Sequence, residues 1–304
     1  MNQPTNEEML GQFIPLHYHY DMLRDGYRME TFRLAIESMV TPGIQVVDLG
    51  GGTGVLSFFA AKQGANVTYV ERNPQLVEVA RKLFKLNGVE DRIQVVQADA
   101  KDFVPECPVE LVTCEMLHVG LLREKQVEVI AAFKQNYLQK HNTKLPRFIP
   151  EASLLACQPV TQEYEFEGFL APGPIFQRPA NEHDETICLS EPVVYDTVWY
   201  DKQLPNRLGW EGTMTIEQDG SLNGIRFVTK NVLSFLLQEH RAIEWHNQFM
   251  VMPLDLPIPV KKGQQIRLAF NYQPGDELPV LDSSLQVELL ADADSAQKQS
   301  TSAA

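Results

Sequence analysis

The stretch Val46, Val47, Asp48, Leu49, Gly50, Gly51, Gly52, Thr53, Gly54 holds the most chemistry in this 304-residue chain. Glycines let a backbone turn sharply and approach a ligand closely. Helical spacing begins at Val55, so the loop also presents a helix N-terminus to that ligand. The spacing is G-x-G-x-G, whereas a dinucleotide loop of the form G-x-G-x-x-G needs glycine where Val55 stands. Asp48, directly ahead of the loop, repels phosphate and can attract an ammonium group through water or the loop. Glu71 closes the next apolar run, where a carboxylate can accept both hydroxyls of a ribose. Asp99 and Ala100 follow the run after that, where a carboxylate and a backbone N–H can read an adenine edge. Together these residues describe a pocket for adenosine carrying an amino-acid tail and no phosphate. S-adenosylmethionine is the cofactor that fits. An NAD fold with a degenerate loop and a purely structural glycine turn are the competing readings. Three carboxylates at three strand ends weigh against the second of these.

Alternating strands and helices must position these groups. Residues 44–49, 66–71, 93–97 and 111–114 are short apolar runs that read as strands. Between the first two, 55–62 has helical spacing and ends before Gly64. Asn73 and Pro74 open a second helix that runs through Lys85 and closes at Asn87 and Gly88. Strands joined by helices imply βαβ units and a parallel sheet, a Rossmann-like α/β domain over 13–147. Beyond Pro146 and Pro150 the chain changes to β-branched and aromatic runs at 191–200, 212–218, 225–229 and 265–271. A hairpin turn is expected at 218–221. An antiparallel β-barrel-like domain is therefore expected over 148–290. Residues 1–12 read as a flexible N-terminus. The tail 291–304 lacks large apolar residues and reads as disordered.

Composition narrows the function classes. Lys and Arg number 26 against 40 Asp and Glu, a formal net charge of −14, so a general grip on nucleic-acid phosphates is not expected. A basic substrate suits that balance better. The hydrophobic fraction of 44% is ample for a packed core. Cys107, Cys114, Cys157 and Cys188 form no C-x-x-C pair, so no metal site is expected, and reduced thiols point to a cytoplasmic protein. No stretch reaches 18 apolar residues, so no membrane span is expected.

Three segments resemble the protein arginine N-methyltransferases, within the class I S-adenosylmethionine-dependent methyltransferases. Residues 19–32, with His19, Met22, Leu23, Asp25, Arg28 and Phe32, are similar to that family's pre-core helix, H-x-x-M-L-x-D-x-x-R-x-x-x-Y/F. By resemblance Arg28 pairs with the cofactor carboxylate and Met22 packs beside the methyl group. Glu115 and Glu124 stand nine residues apart, like the family's paired glutamates. By that likeness they clamp the substrate. A guanidinium is a planar fork of N–H donors that carboxylates can grip bidentately, leaving lone-pair density on the attacking nitrogen. Residues 243–248, followed by 257–263, are similar to the family's T-H-W-K-Q loop and the strand after it. The resemblance covers roughly residues 13 to 290 and is diffuse between Thr161 and Lys230.

The chain also departs from that pattern. The tyrosines of the family's first helix are missing from 9–13. Met116, Leu117 and His118 replace the Trp-Met-Gly after the first glutamate. Glu244 stands where the family has the histidine that partners Asp25, with His246 two residues on. The family's dimerisation arm falls on 168–189, where Pro172, Pro174 and Pro179 oppose a long helix. A homodimer is one assembly the resemblance allows. It implies methyl transfer to a guanidinium nitrogen of arginine, in a protein or as a small guanidine. A methyltransferase for another small-molecule or protein acceptor, and a noncatalytic cofactor-binding interaction module, are the alternatives.

Overall fold

The computed structural model describes residues 14, 16–179 and 181–291. The segment expected to be flexible at 1–12, the 9–13 segment, and all but Ala291 of the tail expected to be disordered at 291–304 lie outside them. Helices α1 (Leu16–Arg24) and α2 (Gly26–Met39) lead into the first sheet. Residues 19–32 thus form two helices, not one. Asp25 breaks them apart: its backbone is extended and its side chain accepts from the Arg28 N–H, capping α2.

Strands β1 (Gln45–Leu49), β2 (Asn66–Glu71), β3 (Ile93–Gln97), β4 (Leu111–Cys114) and β5 (Arg147–Ile149) make one parallel sheet in the order β3-β2-β1-β4-β5. Helices α3 (Val55–Lys62), α4 (Pro74–Leu86) and α5 (Gln126–His141) connect them. Val46, Val47, Leu49, Tyr69, Val70, Leu111 and Val112 are buried, as expected where helices cover both faces of a parallel sheet. The strand order reverses between β1 and β4. In open parallel sheets the crevice beyond the carboxyl ends of such strands is where ligands bind. The Rossmann-like sheet runs two residues past the expected boundary, because β5 pairs with β4 through Ile149.

The remainder is antiparallel. It comprises β6 (Ala152–Gln162), β7 (Glu165–Phe166), β8 (Phe169–Leu170), β9 (Ile175–Gln177), β10 (Thr186–Cys188), β11 (Val193–Trp199) and β12 (Leu208–Thr215). Then come β13 (Gly220–Leu236), β14 (Arg241–His246), β15 (Phe249–Val260), β16 (Gln265–Tyr272), helix α6 (Leu278–Ser284) and β17 (Gln286–Leu289). A curled seven-stranded sheet is built on β10-β6-β13-β15-β9, with β11 on β6 and β14 on β13. A separate three-stranded sheet has the order β12-β16-β17. The fold is therefore the expected one, a parallel α/β domain followed by an antiparallel half-barrel.

Two local expectations change. Residues 218–221 do not close a hairpin, because β12 pairs with β16 and β13 pairs with β6 and β15. The Asp219 side chain instead accepts from the Lys262 N–H, tying the connection to another turn. In 168–189 the described residues form short strands, β8 to β10, and no helix. The prolines there leave only short extended pieces, and β7 with β8 forms a small ribbon exposing Phe166, Phe169 and Leu170.

Candidate active site

A cleft of about 1260 Å³ opens above the carboxyl ends of β1 and β4. Met22, Arg28, Asp48, Gly50, Gly52, Glu71, Asp99, Ala100, Glu115 and Glu124, the residues singled out in the sequence, all border it. They come from α1, α2, the ends of β1 and β2, the loops after β1 and β3, and the segment joining β4 to α5.

The glycine loop is held from beneath. Tyr69 lies buried under it and donates its hydroxyl to the Gly52 carbonyl at 2.6 Å. A Cβ on Gly51 would stand 2.3 Å from the Tyr69 ring, so only glycine fits this close approach. Gly52 is left-handed at φ +56°, with the His19 ring over it. The Asp48 side chain is buried and hydrogen-bonded within the protein. It accepts from the Ser57 N–H at 3.1 Å, the Ser57 hydroxyl at 2.6 Å and the Thr113 hydroxyl at 2.7 Å. Its carboxylate thus joins β1, the start of α3 and β4. Burial pushes its pKa up, while those hydrogen bonds pull it down.

Glu71 spans two turns. One oxygen accepts from the Gly52 N–H at 3.1 Å and the other from the Asn73 N–H at 2.7 Å. Each keeps a further lone pair for a hydroxyl. Asp99 accepts from the Lys101 N–H at 3.0 Å and pairs with Arg72 at 3.4 Å, while Ala100 is buried beside it.

Arg28 and Glu115 meet. The Arg28 Nη2 donates to Glu115 Oε2, with side chains 8% and 12% exposed. Arg28 was expected on the cofactor and Glu115 on the substrate, yet here each holds the other. The Arg28 Nε is buried and has no partner among the described residues. A buried guanidinium N–H without an acceptor is costly and fits a site that receives a carboxylate. That donor, the glycine loop and the paired turns of Glu71 fit the amino-acid tail and ribose of S-adenosylmethionine.

Glu124 faces the same space. Burial first, and the neighbouring Glu115 second, push its pKa up to about 8, against the pull of Arg28 and Arg123. Three imidazoles, His19, His118 and His246, also line the cleft. Burial lowers all three, taking His118 down to about 4. Each shift favours the uncharged ring, the form that does not oppose a cation. Asp25 is occupied in capping α2, Glu244 pairs with Lys230 at 2.6 Å, and His246 lines the cleft wall.

Sequence reasoning missed the residues that hold the backbone on either side of Glu115 and the loop after it. The buried Gln126 accepts from the Met116 N–H and donates to the Cys114 carbonyl. Asn247 donates to the Leu117 carbonyl at 2.9 Å. Thr229 and Tyr272 bind the N–H and the carbonyl of Gly120. Asn247 sits in the one barrel loop that the family likeness had marked. Gln126 carried no signal beyond its place at a helix start.

A methyltransferase-domain family model matches residues 46–137. An uncharacterised protein of Methanothermobacter thermautotrophicus is 30% identical over 88% of this chain and 97% of its own. Protein arginine N-methyltransferase 2 of Xenopus tropicalis is 26% identical over 88% of this chain and 69% of its own. Among solved structures, the Trypanosoma brucei PRMT1 enzyme–prozyme heterotetrameric complex with AdoHcy superposes with a TM-score of 0.69. At 15% identity it covers 91% of this chain and 98% of that one, a likeness of fold.

Proposed function

Given that the chain belongs to the class I S-adenosylmethionine-dependent methyltransferases and resembles the protein arginine N-methyltransferases, we propose that it methylates a guanidinium nitrogen of arginine, protein-bound or free. One observation carries this reading. Glu115 already grips a guanidinium, that of Arg28, and Glu124 lies close enough to feel its charge. A carboxylate that holds one guanidinium, with a second carboxylate nearby, suits another of the same shape and charge.

The roles follow from the positions. Glu71 takes the ribose hydroxyls, and Asp99 with Ala100 reads the adenine. Gly50 and Gly52 let the tail lie against the loop, and Asp48 holds that loop in place. Arg28 receives the tail carboxylate and Met22 closes the site from α1. S-adenosylmethionine supplies an electrophilic methyl group on a sulfonium. Glu115 and Glu124 orient the acceptor so that one nitrogen faces that carbon in line. Their negative charge draws the cation's charge toward the other nitrogens. Holding the partners at near-attack distance supplies most of what this transfer needs. The proton leaves the nitrogen during or after attack.

One observation favours a second acceptor class. His118, where the family has glycine, lines the cleft wall and packs edge-on against Phe176 at 5.6 Å. A methyltransferase for a differently shaped small molecule fits that wall as well. Labelled S-adenosylmethionine with an arginine-rich peptide, and separately with free arginine, decides between them. Label in methylarginine after hydrolysis supports the proposal; label only in other products of a lysate overturns it.

A further inference from the structure

We propose that Gln126 and Asn247 are positioning residues that set where the two glutamates stand, an inference that rests on the guanidinium reading above. Glu115 lies in a segment with no regular structure, which by itself does not fix a side chain to within an ångström. The Gln126 side-chain amide supplies the missing constraint. Its Oε1 accepts from the Met116 N–H at 2.8 Å and its Nε2 donates to the Cys114 carbonyl at 2.7 Å. These are the backbone groups on either side of Glu115. The same residue follows Glu124 by two positions, so one amide ties the start of the loop to its end. Gln126 is fully buried, and both atoms are satisfied only in this arrangement.

Asn247 restrains the next residue from the other domain. Its Nδ2 donates to the Leu117 carbonyl at 2.9 Å, and its Oδ1 accepts from Asn231 at 2.6 Å. The Asn231 oxygen in turn accepts from Ser153 at 2.6 Å, and Ser153 shares a hydrogen bond of 2.9 Å with Tyr200. All four are buried. Every member of this chain has a fixed donor or acceptor role, so Asn247 cannot flip its amide without breaking two bonds. The half-barrel thereby dictates the position of a loop on the Rossmann-like domain. A carboxylate displaced by about 1 Å costs on the order of 10²-fold in such a transfer.

The test compares Gln126→Leu and Asn247→Leu with the wild-type protein by three measurements. Calorimetry with S-adenosylmethionine is expected to show a smaller loss of affinity than the loss in kcat, since the two residues reach the cofactor only through the Glu115–Arg28 pair. Amide exchange across 115–124 is expected to quicken, by about tenfold or more, as one anchor is lost. Turnover of an arginine acceptor is expected to fall about 10²-fold in kcat, a larger change than in cofactor KM. Wild-type exchange rates in both variants would overturn the inference, as would an unchanged kcat. If wild-type protein binds cofactor but methylates no guanidine, the arginine reading fails. The exchange rates then still decide whether Gln126 and Asn247 anchor the loop. Should one variant fail to fold, the other contact, from a different domain, gives the same readouts.

Discussion

The Arg28 guanidinium and the Glu115 carboxylate form an ion pair between α2 and the end of β4, with both side chains nearly sealed from water. Such a pair adds little net stability, but removing one partner strands a buried charge. It also makes cofactor and acceptor sites interdependent. Arg28 has a buried Nε–H left to offer, so a cofactor carboxylate can engage a second edge of the planar guanidinium. Replacing Arg28 with Lys keeps the charge and removes the fork. S-adenosylmethionine affinity is expected to fall about tenfold or more in calorimetry, in line with about 1.5–3 kcal/mol for a hydrogen bond to a charged group. Affinity equal to wild type would show that Arg28 serves Glu115 alone.

Glu124 gives a pH dependence with a definite sign. Its carboxyl ionises at about 8 in the folded protein, against an ordinary value of 4.5. Below about 8 a guanidinium must displace a proton to gain the second carboxylate. Affinity for an arginine acceptor should therefore rise roughly tenfold per pH unit up to about 8 and then level off. Proton release on binding, read from calorimetry in two buffers, should approach one near pH 7. Glu124→Gln should abolish both effects. Stability follows the same linkage: the unfolded chain loses this proton near 4.5 and the folded one near 8. The difference favours the folded state at low pH and is lost as pH rises through that window. The melting temperature of Glu124→Gln should accordingly change less than that of wild type between pH 5 and 8.

Asp48 tests how the loop is held. Its carboxylate satisfies a backbone N–H and two hydroxyls in a site without water access. Asp48→Ala leaves three donors unpaired where β1, α3 and β4 meet. Urea denaturation should show a loss of about 3–5 kcal/mol, since each orphaned buried group costs about 1–3 kcal/mol. Asp48→Asn retains part of the acceptor capacity and should lie between. A loss below about 1 kcal/mol for Asp48→Ala would mean that the loop is held by its own packing.

Much of the parallel sheet could be read from the chain because its signals are local. Apolar runs flanked by glycine, asparagine and proline placed β2, α3, β3 and β4 at their observed ends. The antiparallel half was harder for a physical reason. Neighbouring runs such as 212–218 and 225–229 look like a hairpin, but pairing is decided by partners far along the chain. β12 chose β16, and β13 extends over 17 residues between β6 and β15. At the site, charged residues at strand ends were visible because their chemistry is unusual there. Gln126 and Asn247 were not, since a lone amide gains meaning only from the backbone it meets. Arg28 and Glu115 were each found, but their contact depends on how α2 crosses the sheet.

Tyr69 stands beneath the glycine loop, edge-on to Phe84 at 5.5 Å, with its hydroxyl on the Gly52 carbonyl. That bond stops the ring from swinging aside. Gly51→Ala places a methyl group 2.3–2.4 Å from ring carbons, so the loop must rise toward the cleft. Overpacking of this kind costs about 1–3 kcal/mol, and the raised loop takes space from the cofactor tail. Affinity for S-adenosylmethionine should drop at least tenfold while the fold persists by circular dichroism. Tyr69→Phe removes only the hydrogen bond, at about 1 kcal/mol, and frees the ring to yield. The double variant should therefore recover part of the cofactor affinity lost in Gly51→Ala, although each change alone is harmful. Strict additivity of the two losses would locate the clash elsewhere than on the pinned Tyr69 ring.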